Sequence, residues 1–548
     1  MSDDLVAAAT RWLEEDPDPD TRAELSALID ARDLVALRDR FGARLQFGTA
    51  GLRGELGTGP NRMNRVIVRR AAAGLARYLL DRVPGAAEAG VVIGCDARHK
   101  SEVFAEDSAA MFAGMGVRAL LLPPRLPTPL LAFAIRHLGC AAGVMVTASH
   151  NPPADNGYKV YLGDGAQIVP PADADISAAI DAVGALASIP IAALDSPLVT
   201  RIGSEIADAF QKAEVGLSLV PTARDVSVVY TAMHGVGRDQ AVGVWQRAGF
   251  PPMHLVAAQA DPDPDFPTVA FPNPEEPGAL DLALADAARV HPDVLIANDP
   301  DADRLGAAIP DGAGGYRPLR GDEIGVLLAD HVLRHTSGSD RLVATTVVSS
   351  TMLSKMAAAA GVHYAETLTG FKWIARAALD RPGTRFAFGY EEALGYLVGD
   401  VVRDKDGISA AMTLAEVAAL AKAEGVSLQD RLDALAFAHG LHATDQWSVR
   451  LEGAEGQARI ASVMEGLRRD PPGERAEPEG LPPADIVMLR IGADRVVVRP
   501  SGTEPKIKMY FEVVIPVAAS LADARAAART RLAELRSVLA AATGLSPR

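Results

Sequence analysis

The chain has 548 residues and a mass of 57.4 kDa. A single hydrophobic core stops growing near roughly 250–300 residues, so we expect three or four domains. The formal net charge of −16 disfavours a nucleic-acid partner, because binding to phosphate backbones needs positive charge. Cys95 and Cys140 are the only cysteines, which excludes a disulfide framework and a cysteine-rich metal site.

The hydropathy pattern gives no sign of a membrane protein. Apolar runs are all shorter than the roughly 18 residues that a membrane-spanning helix needs. The N-terminal segment also lacks the basic and apolar regions of a signal peptide. We therefore expect a soluble, cytoplasmic protein without a membrane partner.

Residues 1–45 predict a helical N-terminal extension. Apolar positions recur there at helical spacing and indicate two amphipathic helices, with the acidic segment Asp16–Asp20 between them. Because this segment does not follow a strand, we interpret it as a linker between surface helices.

The rest of the chain predicts four domains. Short apolar runs alternate with alanine-rich helical stretches in three successive units, which is typical of α/β structure. The last segment combines strand-like runs with a terminal helix and indicates an α+β domain with antiparallel strands. The predicted boundaries are 46–205, 206–319, 320–438 and 439–548.

Ser149 lies in the first loop that could carry chemistry, VTASHNPPADNGYK, directly after an apolar strand. Two interpretations are open. Serine, asparagine and proline are ordinary turn formers. Alternatively, Ser149 is a nucleophile, since the neighbouring His150 and Lys159 could accept its proton or stabilise charge.

Three aspartates at alternate positions form the second loop, DPDADR, immediately after a strand-like run. Such carboxylates can converge on Mg²⁺, which prefers oxygen ligands, and Arg304 could hold a phosphate beside them. The alternative is a solvated acidic turn. Aspartates with the same spacing occur at Asp261–Asp265, but they do not follow a strand. The sequence context therefore favours residues 299–303 as the metal site. The candidate ligands are Asp299, Asp301 and Asp303.

Adjacent carboxylates follow an apolar run in the third loop, FAFGYEEALGY. Glu391 and Glu392 could accept hydrogen bonds from sugar hydroxyls, although such pairs are more often solvated surface. Lys405 in RDKDG offers an ammonium that burial could tune for proton transfer, and Lys372 lies in the upstream TGFKW. Both lysines could equally be ordinary surface residues.

The fourth loop, RPSGTEPK, combines a guanidinium, two hydroxyls, a flexible glycine and an ammonium. These groups suit a phosphate monoester, although a tight hairpin turn explains the same residues. The loop is not a P-loop, because the GxxxxGK[ST] spacing is absent. The candidate ligands are Arg499, Ser501, Gly502, Thr503 and Lys506.

Taken in order, TASHNP, DPDADR, GYEEALG and RPSGTEPK resemble the motifs of the α-D-phosphohexomutase superfamily, the phosphoglucomutases and phosphomannomutases. FGTAGLRG, from Phe47, and FPNPEEPGAL resemble further segments of that family. The resemblance implies an α/β protein with four domains around a central cleft. Three related α/β domains with mixed sheets would be joined by a smaller C-terminal α+β domain.

The resemblance also implies roles for the loop residues. Ser149 would be the phosphoserine, with His150 beside it, and the three aspartates would bind one Mg²⁺ together with a phosphoserine oxygen. Arg304 would steady the phosphate, and Lys405 is our candidate for the second acid/base. The implied substrate-binding and cleft residues are Arg53, Lys159, Lys372, Gly389, Glu391, Glu392, Arg499, Ser501, Gly502, Thr503 and Lys506.

The implied reaction moves a phosphoryl group reversibly between C1 and C6 of an aldohexose. A sugar bisphosphate would be both intermediate and activator, the partners would be small sugar phosphates, and the chain would be a monomer or homodimer. Ala393 stands where many family members have serine, and the EEA sequence resembles the branch that includes pentose-phosphate mutases. Glucose phosphates are our leading substrates. Mannose or pentose phosphates, a Mg²⁺-dependent phosphatase and a non-catalytic binder are the alternatives.

Overall fold

The computed structural model describes residues 2–48, 51–451, 453–477, 480–501, 506–518 and 520–546. The chain divides into two compact units. The first comprises Met1–Pro318 and Gly395–Glu416, and the second comprises Leu319–Leu394 and Val417–Arg548. Within the described ranges, none of the helices combines the length and the apolar composition of a membrane span.

The N-terminal extension contains three helices, not the two predicted from the sequence. They are α1 (Ser2–Glu15), α2 (Pro19–Asp30) and α3 (Leu34–Phe41). The Asp33 side chain caps α3 by accepting the Ala36 N–H at 3.0 Å, which starts a new helix within a stretch whose apolar periodicity is continuous.

The Asp16–Asp20 segment lies at the junction of α1 and α2, and two of its carboxylates are buried there. Asp16 and Asp18 are each only 3% exposed. Asp16 accepts the Thr21 hydroxyl at 2.7 Å, and Asp18 lies 3.0 Å from the Lys100 ammonium. Asp18 therefore docks the extension onto the following domain, while Asp16 fixes the start of α2.

The first sheet has six strands in the order β1-β5-β4-β2-β3-β6 and is mixed, because β5 runs antiparallel to both of its neighbours. Its buried core includes the fully apolar strands β2 and β4. The elements are β1 (Leu52–Glu55), α4 (Arg65–Arg82), α5 (Ala86–Ala89), β2 (Val91–Cys95), α6 (Ser101–Gly114), β3 (Ala119–Leu121), α7 (Thr128–His137), β4 (Ala142–Val146), β5 (Asp155–Leu162), α8 (Ala172–Asp181), a 3₁₀ turn (Leu186–Ser188) and β6 (Val199–Arg201).

The second sheet has five strands in the order β11-β10-β9-β7-β8. Parallel pairing of β7 with β9 and antiparallel pairing of β9 with β10 make this sheet mixed as well. The elements are α9 (Glu205–Val215), β7 (Val228–Thr231), α10 (Arg238–Ala248), β8 (His254–Leu255), a 3₁₀ turn (Ala257–Gln259), α11 (Asp281–Val290), β9 (Val294–Ala297), β10 (Gly306–Pro310) and β11 (Tyr316–Pro318).

The second unit begins with an α/β layer in which β12 pairs in parallel with both β13 and β14. Its elements are α12 (Gly321–His335), β12 (Arg341–Thr346), α13 (Met352–Ala360), β13 (His363–Thr367), α14 (Phe371–Arg376) and β14 (Arg385–Glu391). The chain then returns to the first unit with β15 (Gly395–Val398) and enters α15 (Gly407–Ala423), which is followed by α16 (Leu428–His439).

The C-terminal sheet is antiparallel throughout, with five strands in the order β16-β20-β19-β18-β17. One face of this sheet packs on two helices, Gly453–Arg469 and Leu521–Thr543, and forms a separate hydrophobic core with them. The elements are β16 (Leu441–Arg450), α17 (Gly453–Arg469), β17 (Glu474–Ala476), β18 (Val487–Ile491), β19 (Asp494–Pro500), β20 (Lys506–Ile515) and α18 (Leu521–Thr543).

Candidate active site

Ser149 lies in the loop between β4 and β5, residues 147–154, which we call the serine loop. Its backbone has φ 53°, in the left-handed region that a non-glycine residue adopts only when its surroundings hold it there. The Ser149 N–H donates to Thr147 Oγ1 at 2.8 Å, and the residue is 3% exposed. The sharp turn directs the hydroxyl towards the second sheet of the same unit.

The Ser149 hydroxyl has two polar neighbours. Its Oγ donates to Asp299 Oδ2 at 2.8 Å and lies 3.1 Å from His150 Nδ1. Burial lowers the pKa of His150 well below its usual value, and the nearby cations Arg304 and Arg53 lower it further. The imidazole beside the hydroxyl is therefore neutral at physiological pH.

The aspartate loop, residues 298–305, connects β9 to β10 and carries the three predicted metal ligands. One carboxylate oxygen from each lies within 4.8 Å of the others, and all three side chains are buried. The parallel strand β9 ends at this edge of its sheet, which is where open α/β sheets present their ligand-binding groups. The three are Asp299, Asp301 and Asp303.

Cationic and hydroxyl donors occupy one carboxylate oxygen of Asp301 and one of Asp303. Lys159 Nζ lies 2.8 Å from Asp301 Oδ2 and 2.9 Å from Asp303 Oδ2, and Thr128 Oγ1 donates to Asp301 Oδ2 at 2.6 Å. The Oδ1 atoms of Asp301 and Asp303 are buried and have no hydrogen-bond partner among the described residues. Two buried carboxylate oxygens are thus left for another ligand.

Electrostatics also favour a cation at this position. Burial, with repulsion from Asp301 and Asp303, raises the pKa of Asp299 well above its usual value. Burial opposes ionisation of Asp303 too, but the ammonium groups of Lys159 and Lys405 hold its pKa below the usual range. A hard divalent cation would relieve the remaining repulsion, and an all-oxygen ligand set is the one Mg²⁺ prefers.

Two arginines lie around the carboxylates. The Arg304 N–H donates to Asp299 Oδ1 at 3.0 Å, and its guanidinium lies 3.7 Å from Glu275 of the FPNPEEPGAL segment. Arg53, on β1 opposite Gly157, donates to Asn151 of the serine loop at 3.2 Å. The structure therefore brings both predicted arginines to the serine and aspartate loops.

Lys405 reaches the same carboxylates from the segment after β15. Its ammonium lies 3.2 Å from Asp303 Oδ2 and 3.7 Å from Asp404 Oδ1, and the residue is 8% exposed. The Tyr161 hydroxyl donates to Asp404 at 2.7 Å and helps to fix the segment. The position agrees with a role in proton transfer, which stays a prediction.

Sequence reasoning missed the residues that support the aspartate loop from behind. Asn298 donates to the Arg304 carbonyl at 2.6 Å and accepts the Tyr230 hydroxyl at 2.9 Å. Gly235 packs so closely that a Cβ there would lie 2.3 Å from Pro300 Cα. The sequence AMHGVG carried a signal for close approach in its glycines, whereas Thr128 and Asn298 carried none.

The sugar loop predicted from GYEEALG lies in the second unit, at the end of β14. Glu391 is 7% exposed. Glu392 Oε2 accepts the Ser349 and Thr346 hydroxyls at 3.1 and 3.3 Å. Gly389 lies inside β14, where a Cβ would meet Ile374 at 2.4 Å, so packing accounts for this glycine.

Lys372, another residue predicted from the sequence, lies on α14 and is 8% exposed. Its ammonium lies 5.7 Å from the centroid of the Trp373 ring. In the RPSGTEPK segment, Arg499 is the penultimate residue of β19. The Ser501 N–H donates to the Lys506 carbonyl at 2.8 Å, which joins the ends of β19 and β20. Gly502 and Thr503 lie outside the described residues.

A buried carboxylate that the sequence did not single out links the α/β layer of the second unit to its C-terminal sheet. Glu512 Oε1 accepts from the Ser350 hydroxyl at 2.9 Å and the Thr351 N–H at 2.7 Å. Arg495 lies 3.1 Å and His442 3.0 Å from the same carboxylate. Despite burial, these cationic and hydrogen-bonding partners lower the pKa of Glu512 to about 2.

Comparison with known proteins identifies the class that this fold and site define. The chain belongs to the phosphoglucomutase/phosphomannomutase family. Its alpha/beta/alpha domains I, II and III match residues 44–186, 208–312 and 320–437, and its C-terminal domain matches residues 487–528. The resemblance drawn from the four motifs and the four-domain fold class are thereby confirmed.

Three curated relatives narrow the activity to sugar-phosphate mutases. The chain is 44% identical to a probable phosphomannomutase of Haemophilus influenzae, over 82% of this chain and 93% of the relative. It is 37% identical to a probable phosphoribomutase of Schizosaccharomyces pombe, over 92% and 93%. It is 35% identical to a phosphoglucomutase of Staphylococcus epidermidis, over 86% and 90%. The chain is a hexose- or pentose-phosphate mutase, an isomerase-class phosphotransferase.

Proposed function

We propose that the chain interconverts glucose 1-phosphate and glucose 6-phosphate through a phosphoserine at Ser149 and a bisphosphorylated sugar. The observation that carries this proposal is the 2.8 Å contact between Ser149 Oγ and Asp299 Oδ2 within a buried carboxylate triad. A hydroxyl at a metal-type site is positioned to become a phosphate ester whose oxygen faces the cation.

The proposed cycle conserves phosphate and protons. The phosphoryl group of phospho-Ser149 is transferred to the free hydroxyl of the sugar monophosphate, so the bond to Oγ breaks and a bond to the sugar oxygen forms. The displaced proton of the sugar hydroxyl ends on Ser149 Oγ. The other phosphate of the bisphosphate then returns to Ser149 Oγ, whose proton passes to the sugar oxygen that is released, and the isomeric monophosphate is the product.

Charge neutralisation is the main task of the surrounding residues, because phosphoryl transfer depends mostly on positioning and electrostatics. Arg53 and Arg304 bring positive charge to the serine and aspartate loops. Lys159 balances two of the three carboxylates. Mg²⁺ held by the three aspartates would withdraw charge from the phosphoryl oxygens when bound.

Three parts of the proposal come from the family resemblance. Glu391 is proposed to read sugar hydroxyls, the Arg499 loop to hold the phosphate that is not transferred, and Lys405 to exchange the proton. Burial of Glu391 and Lys405, and the position of Arg499 beside a closed hairpin, support these roles.

Pentose or mannose phosphates are the second candidate substrates. The phosphoribomutase relative aligns over 92% of this chain, and the probable phosphomannomutase has the higher identity, 44%. Ala393 also removes a hydroxyl from the sugar loop, so this loop makes fewer polar demands on the sugar ring.

A substrate panel tests the proposal. We expect kcat/KM for glucose 1-phosphate, measured with Mg²⁺ and glucose 1,6-bisphosphate, to equal or exceed the values for mannose 1-phosphate and ribose 1-phosphate. A glucose value far below the other two would reassign the substrate. Assay of inorganic phosphate in the same reactions distinguishes a phosphatase, since a mutase releases isomerised sugar phosphate instead.

A further inference from the structure

Arg98 lies beneath the serine loop and is not one of the residues predicted from the sequence motifs. Its side chain is 1% exposed. Nη2 donates to the carbonyls of Ser149 at 2.7 Å and Asn151 at 2.6 Å. Nη1 donates to the carbonyls of Pro152 at 2.8 Å and Asp155 at 3.1 Å. These four bonds use all four hydrogens of the two terminal nitrogens.

The guanidinium is itself fixed from two directions. Asp96 Oδ2 lies 3.4 Å from Nε, while Asp96 Oδ1 accepts the Arg98 N–H at 3.0 Å and the Ser101 hydroxyl at 2.7 Å. On the other side, the ring centroid of Phe266 lies 5.0 Å from the guanidinium carbon. Phe266 directly follows the Asp261–Asp265 segment in the sequence.

This arrangement leaves the serine loop little freedom. If the loop moved away, the four carbonyls and the buried guanidinium would lose their hydrogen bonds together, which is unfavourable for a buried cation. The Ser149 carbonyl is one of the four, so the same contacts hold its left-handed backbone, φ 53°. The direction of the Ser149 hydroxyl therefore depends on a residue that does not touch it.

We infer that Arg98 is a positioning residue that holds Ser149 Oγ in the orientation needed for phosphoryl transfer. This inference rests on the proposed phosphoserine at Ser149. Lysine cannot replace Arg98, because its single nitrogen has three donors and no planar fork with which to reach four carbonyls. The effect falls on the transfer step and not on sugar binding, because Arg98 contacts the backbone of the serine loop and of the first residue of β5, together with Asp96 and Phe266.

Single-turnover kinetics of Arg98→Lys test the role. Purified phosphoenzyme is mixed with glucose 1-phosphate, and loss of phosphate from Ser149 is followed by mass spectrometry of quenched samples. We expect transfer to slow by roughly tenfold to a hundredfold, with less than about a twofold change in KM, since a displacement near 1 Å costs about that much in rate.

Arg341→Lys is the matched control. Arg341 is also buried, at 7% exposure, and donates to the carbonyls of Gly338, Leu333 and Thr336, but it lies in the second unit. We expect its melting temperature to fall as that of Arg98→Lys does, while the rate of transfer from phospho-Ser149 stays at the wild-type value.

Two results would overturn the inference. One is a wild-type transfer rate in folded Arg98→Lys; the other is an equal loss of transfer in Arg341→Lys. If Arg98→Lys does not fold, the Phe266→Leu variant is used instead, because it loosens the guanidinium without removing a donor. Slower transfer at unchanged KM would support the role of Arg98, and a wild-type rate would contradict it. Absence of phosphate from wild-type Ser149 would instead refute the proposed function, before any Arg98 variant is made.

Discussion

Ser149 Oγ and Asp299 Oδ2 are 2.8 Å apart although the two residues are separated by 150 positions in the sequence. The contact joins the ends of two strands, β4 and β9, that belong to different sheets of the same unit. Phosphorylation of Ser149 would replace a hydroxyl donor with a dianion beside this carboxylate. The site therefore needs a cation in the phosphorylated state.

Asp303→Asn should disable catalysis without unfolding the protein. The variant removes one charge from the triad and weakens the pairing with Lys159 and Lys405. We expect a loss of about 3 kcal/mol of transition-state stabilisation, or roughly a hundredfold in kcat. Asp261→Asn, in a segment with the same alternate spacing of aspartates but outside the site, is the control. Steady-state kinetics with a Mg²⁺ titration measure the loss in kcat. Equal kcat values for the two variants would contradict the assignment of Asp303 to the site.

Thr128→Val should weaken metal binding through Asp301. The variant keeps the shape of the side chain but removes the hydroxyl that donates to Asp301 Oδ2 at 2.6 Å. Loss of a partner behind a metal ligand typically costs about tenfold in affinity or more. Isothermal titration with Mg²⁺ measures the change. Thr413→Val, which removes a buried hydroxyl bonded to the Ser409 carbonyl, is the control and should bind Mg²⁺ like the wild type.

Gly235→Ala should displace the aspartate loop. The added Cβ would lie 2.3 Å from Pro300 Cα, a backbone atom that cannot move aside alone. We expect a cost of about 1–3 kcal/mol in the free energy of unfolding and weaker Mg²⁺ binding. At Gly184 a Cβ would meet nothing within 4 Å, so Gly184→Ala should stay near wild type in urea denaturation. Equal stability of the two variants would contradict the tight packing.

Asp322→Asn should change how stability depends on pH. Burial raises the Asp322 pKa from 3.8 to about 6, while its Oδ1 accepts the Ser350 N–H at 2.7 Å and the Tyr390 hydroxyl at 3.1 Å. Because the folded pKa lies above the unfolded value, the protonated side chain is favoured by folding. This contribution is complete below about pH 4 and is lost as pH rises through about 6.

The asparagine variant keeps an acceptor oxygen and has no charge to bury. Its stability relative to wild type should therefore rise by about 3 kcal/mol between pH 4 and pH 7, from a shift of about two pKa units. Urea denaturation of both proteins across this range measures the difference. A pH-independent difference between the two proteins would contradict the raised pKa of Asp322.

The sequence predicted best those features that depend on neighbouring residues. An apolar strand followed by alternating aspartates is a local pattern, and the structure brings Asp299, Asp301 and Asp303 together as expected. The strand before TASHNP likewise placed Ser149 at a strand end. The family motifs then supplied the four-domain fold, because they occur in a specific order along the chain.

Features that depend on distant contacts could not be predicted in the same way. Arg98, Thr128 and Glu512 bind loop residues that are 51 to 173 positions away in the sequence, through packing that no local pattern encodes. The burial of Asp18 was missed for this reason, since its partner Lys100 lies in the following domain. The third N-terminal helix was missed because Asp33 caps a helix inside a continuous periodic stretch.

The most direct test of the central claim is whether Ser149 carries phosphate. The enzyme is purified after incubation with glucose 1,6-bisphosphate and Mg²⁺, and its intact mass and phosphopeptides are measured. We predict one phosphate, located on Ser149, that is lost on addition of excess glucose 1-phosphate and absent from Ser149→Ala, which should have no mutase activity. Mutase activity in Ser149→Ala, or phosphate on one of the aspartates with Ser149 unmodified, would contradict the account.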